Sequence, residues 1–271
     1  MVAVAVNTAE DTPKVRGTEA TVDLCERIAL RCKGACILGF SRGKDSIAAW
    51  LWLRQFFDRI IPFHCASVPH LQFVDESLDY YEDWFDTPIE RCASGDMTKA
   101  LGSLYYQTPD ALDGIWDIRM PSFDNHDVVA VMRKKYSVPN AWCAFGINMS
   151  DSIDRRIYVK KYQGKIDHWR SFYPCFDWSR KQILEIVRES GIKLPKDYLM
   201  ANRTLAGVPG IRHMERMKEV CPNDYERVKE YYPLIESQLA RNEFRSMSAK
   251  SASATENSPG IPRTENGTVS G

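Results

Sequence analysis

No stretch of this sequence approaches the roughly 20 consecutive apolar residues that a bilayer-crossing helix requires, so no membrane role is expected. The opening segment Met1-Val2-Ala3-Val4-Ala5-Val6 is apolar but short. It carries no basic residue and soon meets Glu10 and Asp11, which makes it a poor signal peptide. An excess of charge is also missing, because 36 Lys plus Arg are balanced by 36 Asp plus Glu. Nucleic-acid binders generally show a basic excess, so nucleic acid as a partner would depend on a local patch. Paired cysteines are missing too. The eight cysteines, at 25, 32, 36, 65, 92, 143, 175 and 221, include no Cys-x-x-Cys. This argues against a zinc site, and no iron–sulfur cluster is expected. Several lie in apolar segments, as buried reduced thiols of a cytoplasmic protein would. The five histidines, at 64, 70, 126, 168 and 213, form no His-x-x-x-His metal pair.

What is present is an alternation of strand-like and helix-like segments. At 271 residues and 44% hydrophobic, the chain can bury the core of one domain with a small appendage. Residues 1–17 are polar and irregular, and a disordered N-terminal segment is expected there. Residues 22–32 carry apolar side chains at helical spacing and are followed by Gly34, a natural stop. Residues 35–40 form a short apolar run suited to a buried parallel strand. A helix is predicted over 46–57, a second strand over 60–68, and an amphipathic helix over 75–85 with Leu78, Tyr81, Trp84 and Phe85 on its apolar face. A helix over 128–136 and a buried strand over 141–147 follow. Ser179 and Gln182 have the spacing of a capping box for a helix over 180–190. Residues 211–245 read as a helical C-terminal extension interrupted near Pro222 and Pro233. Residues 246–271 are rich in small polar residues and read as a disordered tail. Strand–helix alternation of this kind predicts a parallel sheet with helices on both faces, spanning residues 18–210. Ligands of such sheets sit beyond the carboxyl ends of the strands.

The segment Ser41-Arg42-Gly43-Lys44-Asp45-Ser46 falls at that place, between a strand and a helix. A helix N-terminus presents unpaired N–H groups and partial positive charge, a ready site for phosphate. Gly43 lets the backbone approach phosphate oxygens, Ser41 and Ser46 offer hydroxyls, and Lys44 adds a positive charge. Asp45 is a poor direct neighbour for phosphate and is assigned to orienting the loop or holding Mg²⁺. The spacing is not that of a Walker A loop. The bland alternative is an ordinary strand-to-helix turn. A second group of cations, Arg155, Arg156, Lys160, Lys161, Lys165 and Arg170, is interleaved with Tyr158, Tyr162, His168 and Trp169. It reads either as a lid over an anion or as a solvated face. His70 lies just past the second strand, where it would approach a nucleotide or serve only structure.

Ser-x-Gly-Lys-Asp-Ser after a buried strand resembles the PP-loop of the ATP pyrophosphatase superfamily. Further segments resemble the phosphoadenosine phosphosulfate (PAPS) reductases and the small subunit of ATP sulfurylase. They are Ile61-Pro62-Phe63-His64, His70-Leu71-Gln72-Phe73 with Glu76, Gly146-Ile147-Asn148-Met149-Ser150-Asp151-Ser152 with Arg155, Pro174-Cys175-Phe176-Asp177-Trp178-Ser179, and Leu194-Pro195-Lys196-Asp197-Tyr198. The resemblance runs from about residue 35 to about residue 210. It implies a Rossmann-like fold of the adenine nucleotide alpha hydrolase type. It also implies ATP and Mg²⁺ as cofactors, with Ser41, Arg42, Gly43, Lys44, Asp45, Ser46, His70 and Gly146 at the nucleotide.

Departures narrow what the resemblance carries. Arg42 stands where the loop often has Gly, and either meets the phosphates or points to solvent. Asn148 replaces the usual Arg, and Asp151 the usual Glu. The reductases' C-terminal Glu-Cys-Gly-x-His is absent, and Glu219-Val220-Cys221-Pro222 does not match it. The expected activity is therefore adenylylation of an unidentified acceptor with release of pyrophosphate, with Lys44, Asp45 and Arg155 as catalytic residues. The alternatives are a thiol-dependent PAPS reductase, an ATP sulfurylase small subunit, and a non-catalytic nucleotide-binding module working with a protein partner.

Overall fold

A computed structural model describes residues 15–205 and 207–256 of the chain. In chain order its elements are α1 (Glu19–Cys32), β1 (Ala35–Gly39), α2 (Lys44–Leu53), β2 (Arg59–Ala66), α3 (Gln72–Phe85), β3 (Glu90–Ala93), α4 (Gly95–Gly102), α5 (Leu112–Ile118), α6 (Asn125–Lys135), β4 (Trp142–Phe145), α7 (Ile153–Tyr162), β5 (Lys165–Ile166), β6 (Ser171–Phe172), α8 (Arg180–Glu189), α9 (Asp197–Ala201), α10 (Ile211–Val220), α11 (Pro222–Tyr231) and α12 (Ile235–Glu256). The strands form one sheet in the order β3-β2-β1-β4-β6-β5. Every neighbouring pair is parallel except β5 with β6, an antiparallel edge that the alternation pattern did not anticipate.

Alternation along β1 divides the core. Cys36 and Leu38 face a large cluster that includes Leu24 and Ile28 of α1, Trp50 of α2, Leu78 and Tyr81 of α3, and Ile183 of α8. Ile37 faces the opposite side, where Val128, Val129 and Met132 of α6 pack with Ile61, Phe63 and Cys143. Both faces of the sheet are covered, which is why β1 reads as an unbroken apolar run. Helix α2 is buried from Ser46 to Leu53, so it stands beneath the surface with its first turn at the strand ends. Met214, Met217, Tyr225, Val228 and Tyr232 of the C-terminal helices and the turn after them belong to the same large cluster.

Several boundaries differ from the sequence expectation for physical reasons. Helix α3 begins at Gln72, three residues before Asp75, and no local side chain caps it. The Asp224 carboxylate on α11 accepts from the Gln72 and Phe73 amides at 2.5 and 3.2 Å. Helix α6 starts at Asn125 because Asp124 and Asp127 form a reciprocal capping box. Helix α1 has its left-handed cap at Lys33, with Gly34 also at positive φ. Helix α2 stops at Leu53, with residues 54–56 in turns. Helix α12 continues past residue 246, where the sequence suggested the tail begins. Residues 1–14 and 257–271, which hold most of the two expected disordered segments, lie outside the described residues.

Candidate functional site

The sheet reverses its winding direction beside β1, with β2 on one side and β4 on the other. A crevice at such a point is the usual ligand site of an open α/β sheet. Here it is a cleft of about 620 Å³. One wall is the β1–α2 loop with Ser41, Gly43, Lys44 and Asp45, and a second is the β4–α7 connection with Gly146, Asp151 and Arg155. The third consists of Arg180, Tyr198, Asn202, Arg203 and Thr204.

The loop is held by its own hydroxyls. Gly43 is the N-cap of α2 and offers no side-chain acceptor to the first amides. Ser41 Oγ accepts from the Gly43 amide at 3.3 Å and donates to Ser46 Oγ at 3.2 Å. Ser46 Oγ in turn donates to the Gly43 carbonyl at 2.9 Å. Ser46 is 1% exposed, so its hydroxyl braces the loop from within. The Lys44 amide, the first of α2, donates to the Tyr198 hydroxyl at 3.0 Å. The Lys44 ammonium lies 2.6 Å from Asp45 Oδ2. Asp45 Oδ1 is buried without a partner among the described residues. Burial pushes the Asp45 carboxyl above the usual range, against the lowering effect of Lys44. Nearby Asp151 adds to the rise.

Arg42 corrects the sequence reading. Its guanidinium meets neither solvent nor the cleft. It turns inward, 1% exposed, and grips the Asp197 carboxylate with Nη1 and Nη2 at 2.9 and 3.0 Å. Nη1 also donates to Ser77 Oγ at 2.9 Å. Its backbone φ is +64°, the left-handed region where a side chain costs roughly 1–2 kcal/mol. A bidentate, charge-assisted pair offsets such a cost.

On the second wall, Gly146 is required by close approach. A Cβ there would lie 2.7 Å from the Ser46 amide nitrogen and 2.8 Å from the Asp45 carbonyl carbon. Both are backbone atoms of α2's first turn and have nowhere to go. Asn148 is buried and structural: Nδ2 donates to the carbonyls of Cys175 and Trp178, and Oδ1 accepts from the Ser150 amide. Ser152 caps α7, and Arg155 one turn in pairs with Asp151 at 2.6 Å. Arg155 lines the cleft, whereas its basic neighbours do not. Lys165 pairs with Asp167, and the Arg170 guanidinium donates to the Pro139 carbonyl.

His70 is not brought to the cleft. It is 80% exposed, with its ring 3.7 Å from Asp75. Cys221 lines a separate cavity of about 170 Å³ with Glu76, Lys196 and Asp224, and burial raises its thiol pKa. All eight cysteines are free. Among the described residues no group of three or more His, Cys, Asp or Glu is placed to hold a metal by itself. Mg²⁺ asks less, since it keeps several waters and takes one or two carboxylates plus phosphate oxygens. The orphaned Asp45 Oδ1 and neighbouring Asp151 fit that role.

The residues that sequence reasoning missed are Arg180, Asn202, Arg203 and Thr204, with Asp151 and Tyr198 quoted only as parts of segments. The Ser179 cap was a signal for where α8 starts, but not for what its first residue faces.

No family model matches this chain, and no curated protein matches it either. Among solved structures it is similar to the U34-tRNA thiolase NcsA from Methanococcus maripaludis with its 4Fe-4S cluster. That likeness has a TM-score of 0.40 and 13% identity, covering 80% of this chain and 79% of that one. It is also similar to the NH3-dependent NAD synthetase from Campylobacter jejuni in complex with nitrate, with a TM-score of 0.41 and 12% identity over 90% and 98% of the two chains. The chain's own sheet and cleft make it a Rossmann-like α/β protein with a polar, cation-lined crevice at the switch point. No helix among the described residues is long and apolar enough to cross a membrane.

Proposed function

We propose that this protein binds ATP in the cleft and cleaves it between the α- and β-phosphates, transferring the adenylyl group to an acceptor oxygen. The observation that carries the reading is the loop of residues 41–46, which opens buried helix α2 at the sheet's switch point with Gly146 packed on its backbone. Helix N-terminal amides there favour phosphate oxygens. In the reaction an acceptor lone pair forms a bond to the α-phosphorus. The bond to the α,β-bridging oxygen breaks, and its electrons leave with pyrophosphate. Lys44 would hold the departing phosphates, and Arg155 would offset charge developing at the α-phosphate. Asp45 and Asp151 would hold Mg²⁺, which when bound neutralises phosphate charge. The rest is positioning, with no protein nucleophile required.

The placement of Cys221 in a different cavity favours this reading over thiol-dependent sulfonucleotide reduction. The test uses ATP labelled at the α-phosphate, Mg²⁺ and a panel of carboxylate, sulfate and nucleobase acceptors. The reading expects pyrophosphate and a labelled adenylylated product, with Lys44→Ala weakening ATP binding. Absence of product with every acceptor, together with unchanged ATP binding by Lys44→Ala, overturns it.

A further inference from the structure

The charges around the cleft are not evenly distributed. Lys44 and Arg155 are neutralised in place by Asp45 and Asp151. Arg180 and Arg203 also line the cleft, yet neither guanidinium has a carboxylate or hydrogen-bond partner among the described residues. Both are exposed, so their charge is not needed to satisfy the core. They share the third wall with Tyr198 and Thr204. This wall meets the loop at α2's first amide: Tyr198 Oη accepts from Lys44 N at 3.0 Å, and a Cβ on Gly43 would lie 3.4 Å from Thr204 Oγ1. Among the described residues the Tyr198 hydroxyl proton has no acceptor, while its oxygen is already polarised by the amide. Burial, with Asp45 and Asp197, raises the Tyr198 hydroxyl pKa, while the Lys44 amide and, more weakly, Arg180 oppose the rise. The wall is held in register from behind, since Asp197 Oδ1 takes both Arg42 and the Leu205 amide at 3.0 and 2.7 Å.

We propose that Arg180, Tyr198, Arg203 and Thr204 form a second binding element for the terminal phosphates of a nucleoside triphosphate, and for the pyrophosphate it becomes. The inference rests on the nucleotide reading above and adds a direction to it. Of the two carboxylates, Asp151 lies on the β4–α7 connection and Asp45 on the β1–α2 loop, each taken up by a cation of its own wall. The two unpaired arginines lie on the α8–α9 side. A triphosphate is most negative at its far end, so that end points to the arginines and the α-phosphate to the β4 side, beside Arg155. The Tyr198 hydroxyl keeps the Lys44 hydrogen bond and donates its own proton to a phosphate oxygen. None of the four is part of the loop motif, and all come from a segment about 140 to 160 residues further along the chain.

The test titrates inorganic pyrophosphate and, separately, AMP into the full-length chain by calorimetry. It compares the native protein with Arg180→Gln, Arg203→Gln, Tyr198→Phe and Lys44→Ala, each checked by thermal unfolding. The expected result is pyrophosphate affinity weakened about tenfold or more in each arginine variant, the scale of one lost charge-assisted hydrogen bond. A smaller loss is expected in Tyr198→Phe, with AMP affinity within about twofold throughout. Arg180→Lys should recover part of the loss, because charge remains and only the fork is gone. Unchanged pyrophosphate affinity in both arginine variants, while Lys44→Ala weakens it, overturns the second element and leaves the loop reading standing. If Lys44→Ala also has no effect, or the native chain binds neither probe, both fall.

Discussion

Arg42 and Asp197, 155 residues apart, form a bidentate ion pair with both side chains 1% exposed or less. The pair ties the second residue of the phosphate-type loop to helix α9, and so fixes the distance between the cleft's first and third walls. The Phe73 ring lies 5.9 Å from the guanidinium carbon, and Arg42 Nε has no acceptor among the described residues.

Removing one partner of a buried pair leaves the other charge unmatched, at a cost of about 3–5 kcal/mol. Arg42→Ala should lower stability by that order in urea unfolding. Arg42→Gly should lose less than Arg42→Ala, because glycine relieves the φ of +64°. Equal losses for the two would show that the left-handed backbone carries no strain.

Gly146→Ala places a methyl against the backbone of α2's first turn, 2.7 Å from the Ser46 nitrogen. Overpacking of this kind costs about 1–3 kcal/mol. The shift would fall on the loop, so nucleotide affinity should drop by about tenfold or more for a displaced set of phosphate donors. Native affinity in a folded Gly146→Ala protein would show that the loop geometry does not set binding.

His64 sits beneath the loop, 5% exposed, with Nδ1 donating to the Phe40 carbonyl at 2.9 Å. Burial, helped by Arg42, lowers its pKa from 6.5 to about 4. The unfolded chain therefore takes up a proton between these values that the folded chain refuses. Stability from this source is complete above pH 6.5 and is lost as pH falls towards 4, by about 3 kcal/mol in all. His126 and His213 are shifted in the same direction by burial. Urea midpoints measured at pH 7.5 and 5 should show the loss, and His64→Asn should flatten it.

Burial raises the Asp45 carboxyl pKa even though Lys44 opposes the rise. The ionised form is thus held at a cost, as at sites where function sets the residue. Asp45→Asn should leave the melting temperature unchanged or higher. Pyrophosphate release dependent on Mg²⁺ should fall at least about tenfold, the scale of a lost charge-assisted contact. A variant that is destabilised yet fully active would contradict both parts.

Much of this was legible in the sequence because it is written locally. The apolar run 35–40 predicted β1, the Ser179–Gln182 spacing predicted the α8 cap, and Pro222 and Pro233 marked the breaks among α10, α11 and α12. The loop of residues 41–46 was found for the same reason: a strand end, a glycine and a helix start are consecutive. The strands β5 and β6, only two residues each, have no period to detect.

What only the tertiary structure decided concerns partners far apart in the chain. Arg42 reads as a cation in a phosphate loop, but Asp197 removes its charge from the cleft. The start of α3 depends on Asp224, about 150 residues later. Arg180 and Arg203 look like ordinary surface arginines until the fold sets them in the wall of the cleft that Lys44 also lines. The sequence by itself determined which segments form strands, helices and the loop, since those depend on neighbours along the chain. Which charges remain free to meet a ligand was decided by folding, because a charge is neutralised through space by whatever carboxylate packing brings beside it.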